Sequence, residues 1–274
     1  MKKCTLTIDG KLFNIFIKDG DFQRGGNELI FSDKNNPFRN IDKTIKELGY
    51  SIINFIDQAG FKALTNQIRE ILSEIIKNEN IYVPSDFALE NYHLFVSESD
   101  HAKIIQKTRS LEFADFNFKP QYLIESIENF LNIKISHILP KLKKDIVQLR
   151  INRPKSTDIN PPHRDSYFEA YKNGINVWIP LINCNKHTSL ALMPKSHLLK
   201  ENEILIAKGR AFEINNNKYN VPCIIDTDWG MNFIRPNPKA TQALIFNSSI
   251  IHGAAFNCSS KTRMSLELRL TEKT

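Results

Sequence analysis

The spacing of hydrophobic residues changes partway along the chain. Before residue 145, apolar residues recur every three or four positions, which predicts a long helix capped by Asp57 and another with Pro120 in its first turn. A shorter helix is predicted from Ile41 to Leu48, where Gly49 is well placed to end it, and the segment YSIINFI that follows is typical of a buried strand. The first 32 residues predict a strand pair, because TLTI and LFNIFI flank an Asp-Gly turn dipeptide.

From about Asp145 the hydrophobic period becomes two, the period of a strand with one buried face. Four later segments are strand-like: INVWIPLI, SLALMP, QALIFN and KTRMSLELRLT. Helices followed by a β-rich second half favour an antiparallel barrel or a double-sheet jelly roll over an alternating βαβ protein. We expect one mostly β domain over residues 1–274, with a strand-pair extension at 1–40, a helical buttress at 41–144 and the β core at 145–274.

Composition narrows the classes of partner and compartment. The chain carries 37 basic and 30 acidic residues, a net charge of +7, but no long basic run, which disfavours nucleic acid as a partner. The four cysteines are scattered without a CxxC pair, so neither a zinc module nor a disulfide framework is indicated. No uncharged apolar stretch approaches the ~20 residues that span a bilayer. We therefore expect a soluble, cytoplasmic protein that does not insert into a membrane.

The segment INPPHRDSYFEAY places His163 and Asp165 two positions apart. Side chains at i and i+2 of an extended segment point the same way, so this pair can converge on one metal ion. Taken alone the pair is weak evidence, because 7 histidines and 30 acidic residues in 274 give about 0.8 such pairs by chance. A hydrated turn after the two prolines is the alternative.

A third ligand is offered by His252 in FNSSIIHGAAF, among apolar neighbours and directly before a glycine that permits close backbone approach. A lone histidine in such a strand is more often a core residue than a ligand. In the last strand, however, four polar residues share one face, which is either solvated or lines the interior: Arg263, Ser265, Glu267 and Arg269. In an interior, the Arg263 fork could hold a carboxylate, with the Ser265 hydroxyl as a second donor.

On these residues the sequence resembles the iron(II)- and 2-oxoglutarate-dependent oxygenases, and within them the phytanoyl-CoA dioxygenase-like family. The family's His-x-Asp…His motif matches His163, Asp165 and His252, and its 2-oxoglutarate-binding arginine, eleven residues after the distal histidine, falls on Arg263. The segment VWIPLINCNKHTSLALMPKSH is similar to the family's tryptophan-containing strand and Pro-x-Ser-His sequence. The resemblance covers residues 41 to 271. It departs at HTS, where a turn usually carries Asn-Gly, and at Lys195, where a glycine is usual.

The resemblance implies a double-stranded β-helix, the cupin-like jelly roll, with Fe(II) held by His163, Asp165 and His252 as the catalytic metal. It further implies that 2-oxoglutarate is the cosubstrate, anchored by Arg263 and Ser265 with Trp178 in the pocket wall, and that O2 is consumed. Hydroxylation with release of succinate and CO2 is the expected outcome. Because Asp165 is present, the open chloride position of halogenating relatives is absent.

The substrate is expected to be a small polar or anionic metabolite. Three residues should face the interior, Gln148, Arg150 and Asn152, and further basic residues border the mouth: Arg153, Lys155, Arg164, Lys186 and Lys195. These charges could instead be solvated. Tyr167, with Phe168 and Tyr171, forms either a wall of the site or part of the core, and His187 and His197 are expected not to bind the metal.

Arg269 shares the strand face of Arg263 and is the alternative to it as the carboxylate anchor. A spacing of ~3.3 Å per residue puts Arg269 ~20 Å beyond Arg263, too far to serve the same carboxylate. The alternative functions are a nucleic-acid or protein oxygenase with the same iron site, and a cupin-type metal-dependent isomerase, dioxygenase or binding module that does not use 2-oxoglutarate. Oligomeric state is not predicted.

Overall fold

The structure is a computed structural model that describes residues 2–17, 21–30, 34, 36–117, 120–156, 158–208, 212–214, 217–219 and 222–273. Four helices carry the labels α1 Lys43–Leu48, α2 Gln58–Asn78, α3 Glu98–Thr108 and α4 Pro120–Leu131. The strands that begin before residue 150 are β1 Lys2–Ile8, β2 Lys11–Ile17, β3 Asp21–Arg24, β4 Tyr50–Asn54, β5 Ile135–Ser136 and β6 Val147–Asn152. The later strands are β7 Ile175–Ile182, β8 Ala191–Leu192, β9 Ile204–Lys208, β10 Phe212–Ile214, β11 Asn217–Tyr219, β12 Cys223–Thr227, β13 Asn232–Phe233, β14 Gln242–Asn247, β15 His252–Gly253 and β16 Arg263–Glu272.

The largest sheet has six strands, in the order β4-β14-β7-β16-β5, and β6 pairs with β16 on the same edge as β5, opposite β7. Its outer face is apolar because Val147, Val177 and Leu266 point there, and it packs against α2 and α4 through residues such as Leu64 and Leu123. The alternate positions of the same strands must therefore point inward. The helices thus cover one face of this sheet, and its polar positions line the interior.

The smaller sheets, β12-β9-β3 and β15-β8, together with the strand pair β1-β2, enclose a second apolar cluster. A third cluster joins the two sides: Trp178, Leu244 and Phe246 of the large sheet pack with Leu190 and Leu192 around β8. The fold is mostly β with few helices, the jelly roll expected from the sequence. Among the described residues, none of the helices is long and apolar enough to cross a membrane.

Local sequence signals explain most element boundaries. Asp57 caps α2 by accepting a hydrogen bond from the Gly60 amide at 2.7 Å, and Gly49 ends α1 in the left-handed conformation at φ 78°. The strand predicted from YSIINFI is present as β4, but it lies at the edge of the large sheet and buries only Ile53. Its neighbour Ile52 is 37% exposed, because an edge strand has one uncovered side.

Candidate metal centre

The two histidines of the predicted triad are held opposite each other by the backbone. The His163 amide donates to the His252 carbonyl at 2.9 Å, and the His252 amide donates back to the His163 carbonyl at 3.0 Å. This antiparallel bridge brings the imidazole rings to a centroid distance of 4.4 Å. The close approach also requires Gly253, at φ +126°, where an added Cβ would lie 2.5 Å from the Pro161 carbonyl oxygen.

Each imidazole has one nitrogen occupied and one directed at a common point. The Nδ1 atom of His163 lies 2.8 Å from the Pro161 carbonyl, and that of His252 lies 3.0 Å from the Ile250 carbonyl. A carbonyl can only accept, so each Nδ1 atom carries a proton, and Nε2 is the nitrogen of each ring that is left to face the metal centre. Burial, followed by the neighbouring His163, lowers the pKa of His252 to about 4. The ring of His252 is therefore neutral, the form that binds a metal.

Asp165 completes a cluster of three ligand atoms within 4.8 Å of one another that could hold a metal ion. Its Oδ1 atom lies 3.2 Å from Nε2 of His163 and 3.8 Å from Nε2 of His252. Burial alone would raise the pKa of Asp165, but the guanidinium of Arg269 and the two histidines outweigh it and lower the pKa. The site therefore supplies two imidazoles and one carboxylate anion, the donor set that suits Fe(II) and leaves coordination positions open.

Arg263 lines the same interior cavity as the two histidines. Its side chain is 2% exposed, its Nη1 donates to the Ser265 hydroxyl at 2.6 Å, and its guanidinium carbon lies 5.9 Å from the centre of the Trp178 ring. Among the described residues no carboxylate forms an ion pair with it, and its Nε has no hydrogen-bond partner. Burial lowers the pKa of Arg263. A buried cation without a counter-ion is costly, so this position is suited to an anionic ligand group.

The structure distributes the expected substrate residues over different environments. Arg150 and Asn152 line the cavity, together with Asp158, Asn160 and Glu267. Gln148 is not among the lining residues, and its amide nitrogen donates to the Arg109 carbonyl at 3.3 Å. Tyr167 also lies away from the cavity lining, because its hydroxyl donates to Glu201 at 3.1 Å. A larger groove of about 910 Å³ lies between α2 and α4, and none of the three candidate metal ligands lines it.

Three arginines that the sequence suggests for anion binding already have carboxylate partners. Arg150 lies 3.4 Å from Glu267, and Arg153 makes contacts of 2.8 Å with both Asp158 and Glu98. Arg164 is buried on the side away from the metal centre, where it pairs with Glu201 and donates to the Leu199 carbonyl at 3.1 Å. The positive charge of these residues is thus largely neutralised within the protein.

His187 and His197 are not part of the three-residue cluster. His187 is exposed, whereas His197 is buried with its Nε2 3.2 Å from the Lys46 carbonyl. Sequence reasoning missed two residues beside the site: Arg269, whose Nε lies 2.5 Å from Oδ2 of Asp165, and Glu267, which lines the cavity. The sequence indicates that both share a strand face with Arg263, but it does not indicate which residues they contact.

The ion pair of Arg164 gives a stability prediction. We expect Arg164→Met to lower the free energy of unfolding by about 3 kcal/mol or more, because it leaves the Glu201 carboxylate buried without its cation. Urea unfolding of the metal-free protein measures this. The double variant Arg164→Met/Glu201→Leu should recover part of the loss, and a single variant within about 1 kcal/mol of the unaltered protein would contradict the prediction.

Comparison with protein families gives one match. The model of the phytanoyl-CoA dioxygenase (PhyH) family matches residues 46–265 and so spans most of the chain. The protein therefore belongs to the phytanoyl-CoA dioxygenase family of iron- and 2-oxoglutarate-dependent oxygenases. A comparison with curated proteins gives no match.

Three solved structures illustrate the similarity in fold. EctD from S. alaskensis with 2-oxoglutarate and 5-hydroxyectoine is 11% identical, at a TM-score of 0.48, with 92% of this chain and 83% of that chain covered. The carbocyclase SnoK from nogalamycin biosynthesis is 12% identical at a TM-score of 0.47, covering 90% and 87%. AviO1 from Streptomyces viridochromogenes Tue57 is 12% identical at a TM-score of 0.47, with 83% of this chain and 91% of that chain covered.

Proposed function

We propose that the protein is a 2-oxoglutarate-dependent dioxygenase that hydroxylates a C–H bond of a small polar metabolite. One O2 and one 2-oxoglutarate would be consumed, with one oxygen atom entering the substrate and the other entering succinate as CO2 is released. The observation that carries the proposal is the shared cavity: a two-histidine, one-carboxylate cluster and the buried Arg263, which lacks a counter-ion among the described residues, line or adjoin the same space.

Each protein group has a distinct task in this proposal. His163, Asp165 and His252 would hold Fe(II), and the bound iron would supply the oxygen-activating chemistry. The carbonyls of Pro161 and Ile250 fix the tautomer of the two imidazoles and aim both Nε2 atoms at the ion. Arg263 and the Ser265 hydroxyl would bind the far carboxylate of 2-oxoglutarate through charge-assisted hydrogen bonds.

The walls of the interior carry further hydrogen-bonding groups that the described residues do not satisfy. The indole nitrogen of Trp178 and both amide atoms of Asn176 are buried and have no hydrogen-bond partner there. Buried polar groups are normally paired, so we infer that a ligand or water completes these two residues. Trp178 stands opposite Glu267, and Asn176 opposite Arg269, in the pairing of β7 with β16.

A polar substrate is favoured over a strongly anionic one. Arg150, which lines the cavity, is paired with Glu267, and Arg153 is paired with Asp158 and Glu98. The charge of Arg263 is needed for the cosubstrate. Neutral hydrogen-bonding groups such as Asn152 and Asn160 remain in the lining. A ligand rich in hydroxyl or amide groups would match this surface.

Anaerobic titration with Fe(II), with and without 2-oxoglutarate, tests the proposal. We expect a weak visible charge-transfer band only when both are present, because the band arises from 2-oxoglutarate chelated to the iron. Succinate release under air, with candidate polar metabolites, then identifies the substrate class. If the unaltered protein binds Fe(II) but never shows the band, a cupin-type activity that does not use 2-oxoglutarate would replace the proposal.

A further inference from the structure

Arg269 contacts the carboxylate of the metal centre from the side away from the histidines. Its Nε lies 2.5 Å from Oδ2 of Asp165 as a charge pair rather than an aligned hydrogen bond, and its Nη2 lies 3.6 Å from Glu267. The ring of Tyr171 packs on the guanidinium at 5.8 Å. The side chains of Arg269, Asp165 and Glu267 are 10%, 5% and 13% exposed. The arginine is therefore fixed on several sides rather than free to move into the cavity.

The contact divides the two oxygens of Asp165 between different partners. Oδ1 faces Nε2 of both histidines, at 3.2 and 3.8 Å, whereas Oδ2 faces the guanidinium of Arg269. A carboxylate can bind a metal through one oxygen or chelate it through both. With Oδ2 committed to a buried cation, chelation would require breaking an ion pair at low dielectric.

The number of oxygens that Asp165 gives to the metal decides how many positions remain for reactants. Two imidazoles and one carboxylate oxygen leave roughly three positions of an octahedral ion open. In the proposed function, two of these receive 2-oxoglutarate and one receives O2. Chelation by both oxygens of Asp165 would fill one of the three.

We infer that Arg269 is a positioning residue that keeps Asp165 a one-oxygen ligand and so preserves the third open position on the metal. The inference rests on the proposed metal site, and it concerns how that site is kept open rather than what fills it. Tyr171 supports the same arrangement, since its ring covers the guanidinium. Tyr171 follows Asp165 closely in the chain, so one segment supplies both the carboxylate and the ring that contact Arg269.

Because Arg269 is a cation, its removal should affect metal binding differently from a substitution that only destabilises the fold. Removal of a cation beside Asp165 lowers the local repulsion of a divalent ion, so metal affinity should be retained or increased. A residue that only stabilises the structure would, on removal, weaken metal binding together with the fold. The diagnostic quantity is therefore the number of water molecules on the bound metal, not the activity.

The test uses Mn(II) alone and counts its inner-sphere waters by water-proton relaxation. We expect roughly three such waters in the unaltered protein and roughly two in Arg269→Met. The Mn(II) affinity of the variant should fall by no more than about threefold. Arg269→Lys, which keeps the charge but not the guanidinium fork, should lie between them. In the Fe(II) protein with 2-oxoglutarate, binding of nitric oxide as a stand-in for O2 should weaken at least about tenfold in Arg269→Met.

The matched control is Arg150→Met, which removes the other cation that contacts Glu267 without touching Asp165. It should leave the water count unchanged. An unchanged count in Arg269→Met, or a loss of Mn(II) affinity that parallels a fall in melting temperature, would overturn the inference. Because the Mn(II) experiment needs no 2-oxoglutarate, a protein that fails to bind 2-oxoglutarate would defeat the proposed function without deciding the role of Arg269.

Discussion

Arg263→Ala is expected to weaken the binding of 2-oxoglutarate to the metal-loaded protein by about two to three orders of magnitude. Truncation of one partner of a buried charge pair typically costs 2–5 kcal/mol, and every 1.4 kcal/mol is a factor of about ten in affinity. Arg263 is 2% exposed, and among the described residues Ser265 is its one side-chain hydrogen-bond partner, so most of its guanidinium donors are left for the far carboxylate of the cosubstrate. Anaerobic titration of the visible charge-transfer band measures the effect.

Two comparisons make the Arg263 result interpretable. Affinity for Fe(II) alone should stay within about threefold, because the described structure places no contact between Arg263 and the three metal ligands. Arg263→Lys should recover only part of the loss, since an ammonium cannot reproduce the bidentate fork. Retention of full 2-oxoglutarate affinity in Arg263→Ala would show that another residue anchors the cosubstrate.

Asp165→Asn is expected to weaken Fe(II) binding by at least about 100-fold. Loss of an outer-shell partner alone typically costs 10- to 100-fold in metal affinity, and this change removes the one anionic ligand of the cluster. It also removes the nearer of the two carboxylates that face Arg269, so the cation beside the ion is less well neutralised and adds repulsion. Anaerobic competition with a chromogenic chelator measures the affinity, and succinate release should be lost with it.

The matched control for this change is Asp158→Asn. Asp158 also lines the cavity and is also bonded to an arginine, but it is not part of the three-residue cluster. Its replacement should leave Fe(II) affinity within about threefold, whatever it does to stability. Equal losses in the two variants would mean that general negative charge in the cavity, rather than coordination by Asp165, determines metal binding.

The sequence is sufficient to predict the elements in which hydrophobic period and end signals agree. INVWIPLI forms β7 over the predicted residues, and Pro120 begins α4. α3 could not be predicted in this way, because Glu98–Thr108 contains few apolar residues and therefore no clear helical stripe. Its signal is the Ser97 cap, which accepts from the Asp100 amide at 3.2 Å and is recognisable only once a helix is suspected.

The site shows a similar division between what is local and what depends on the fold. The family motif allows His163, Asp165, His252 and Arg263 to be proposed together, and the structure brings the three candidate ligands within reach of one ion. Distance along β16 separates Arg269 from Arg263, but it does not reveal what Arg269 contacts. Its partner is Asp165, which comes from another part of the chain.

Charge is the property that sequence describes least well here. Arg150, Arg153 and Arg164 are visible as basic residues, but their neutralising partners lie at separations that no local pattern marks, as with Arg164 and Glu201. Composition thus overstates how much positive charge faces the cavity. Only the packed structure shows which cation is left for a ligand.

The backbone bridge between His163 and His252 also couples metal binding to folding. The two residues are 252 − 163 = 89 positions apart, so the pair of hydrogen bonds that joins them closes a long loop, which the unfolded chain does not hold shut. An ion bound to both imidazoles therefore binds the folded state alone, and by mass action it adds about 2.7 kcal/mol at a free concentration of 100 times its dissociation constant. The melting temperature of this protein should accordingly rise with metal concentration and report occupancy of the centre without any assay of turnover.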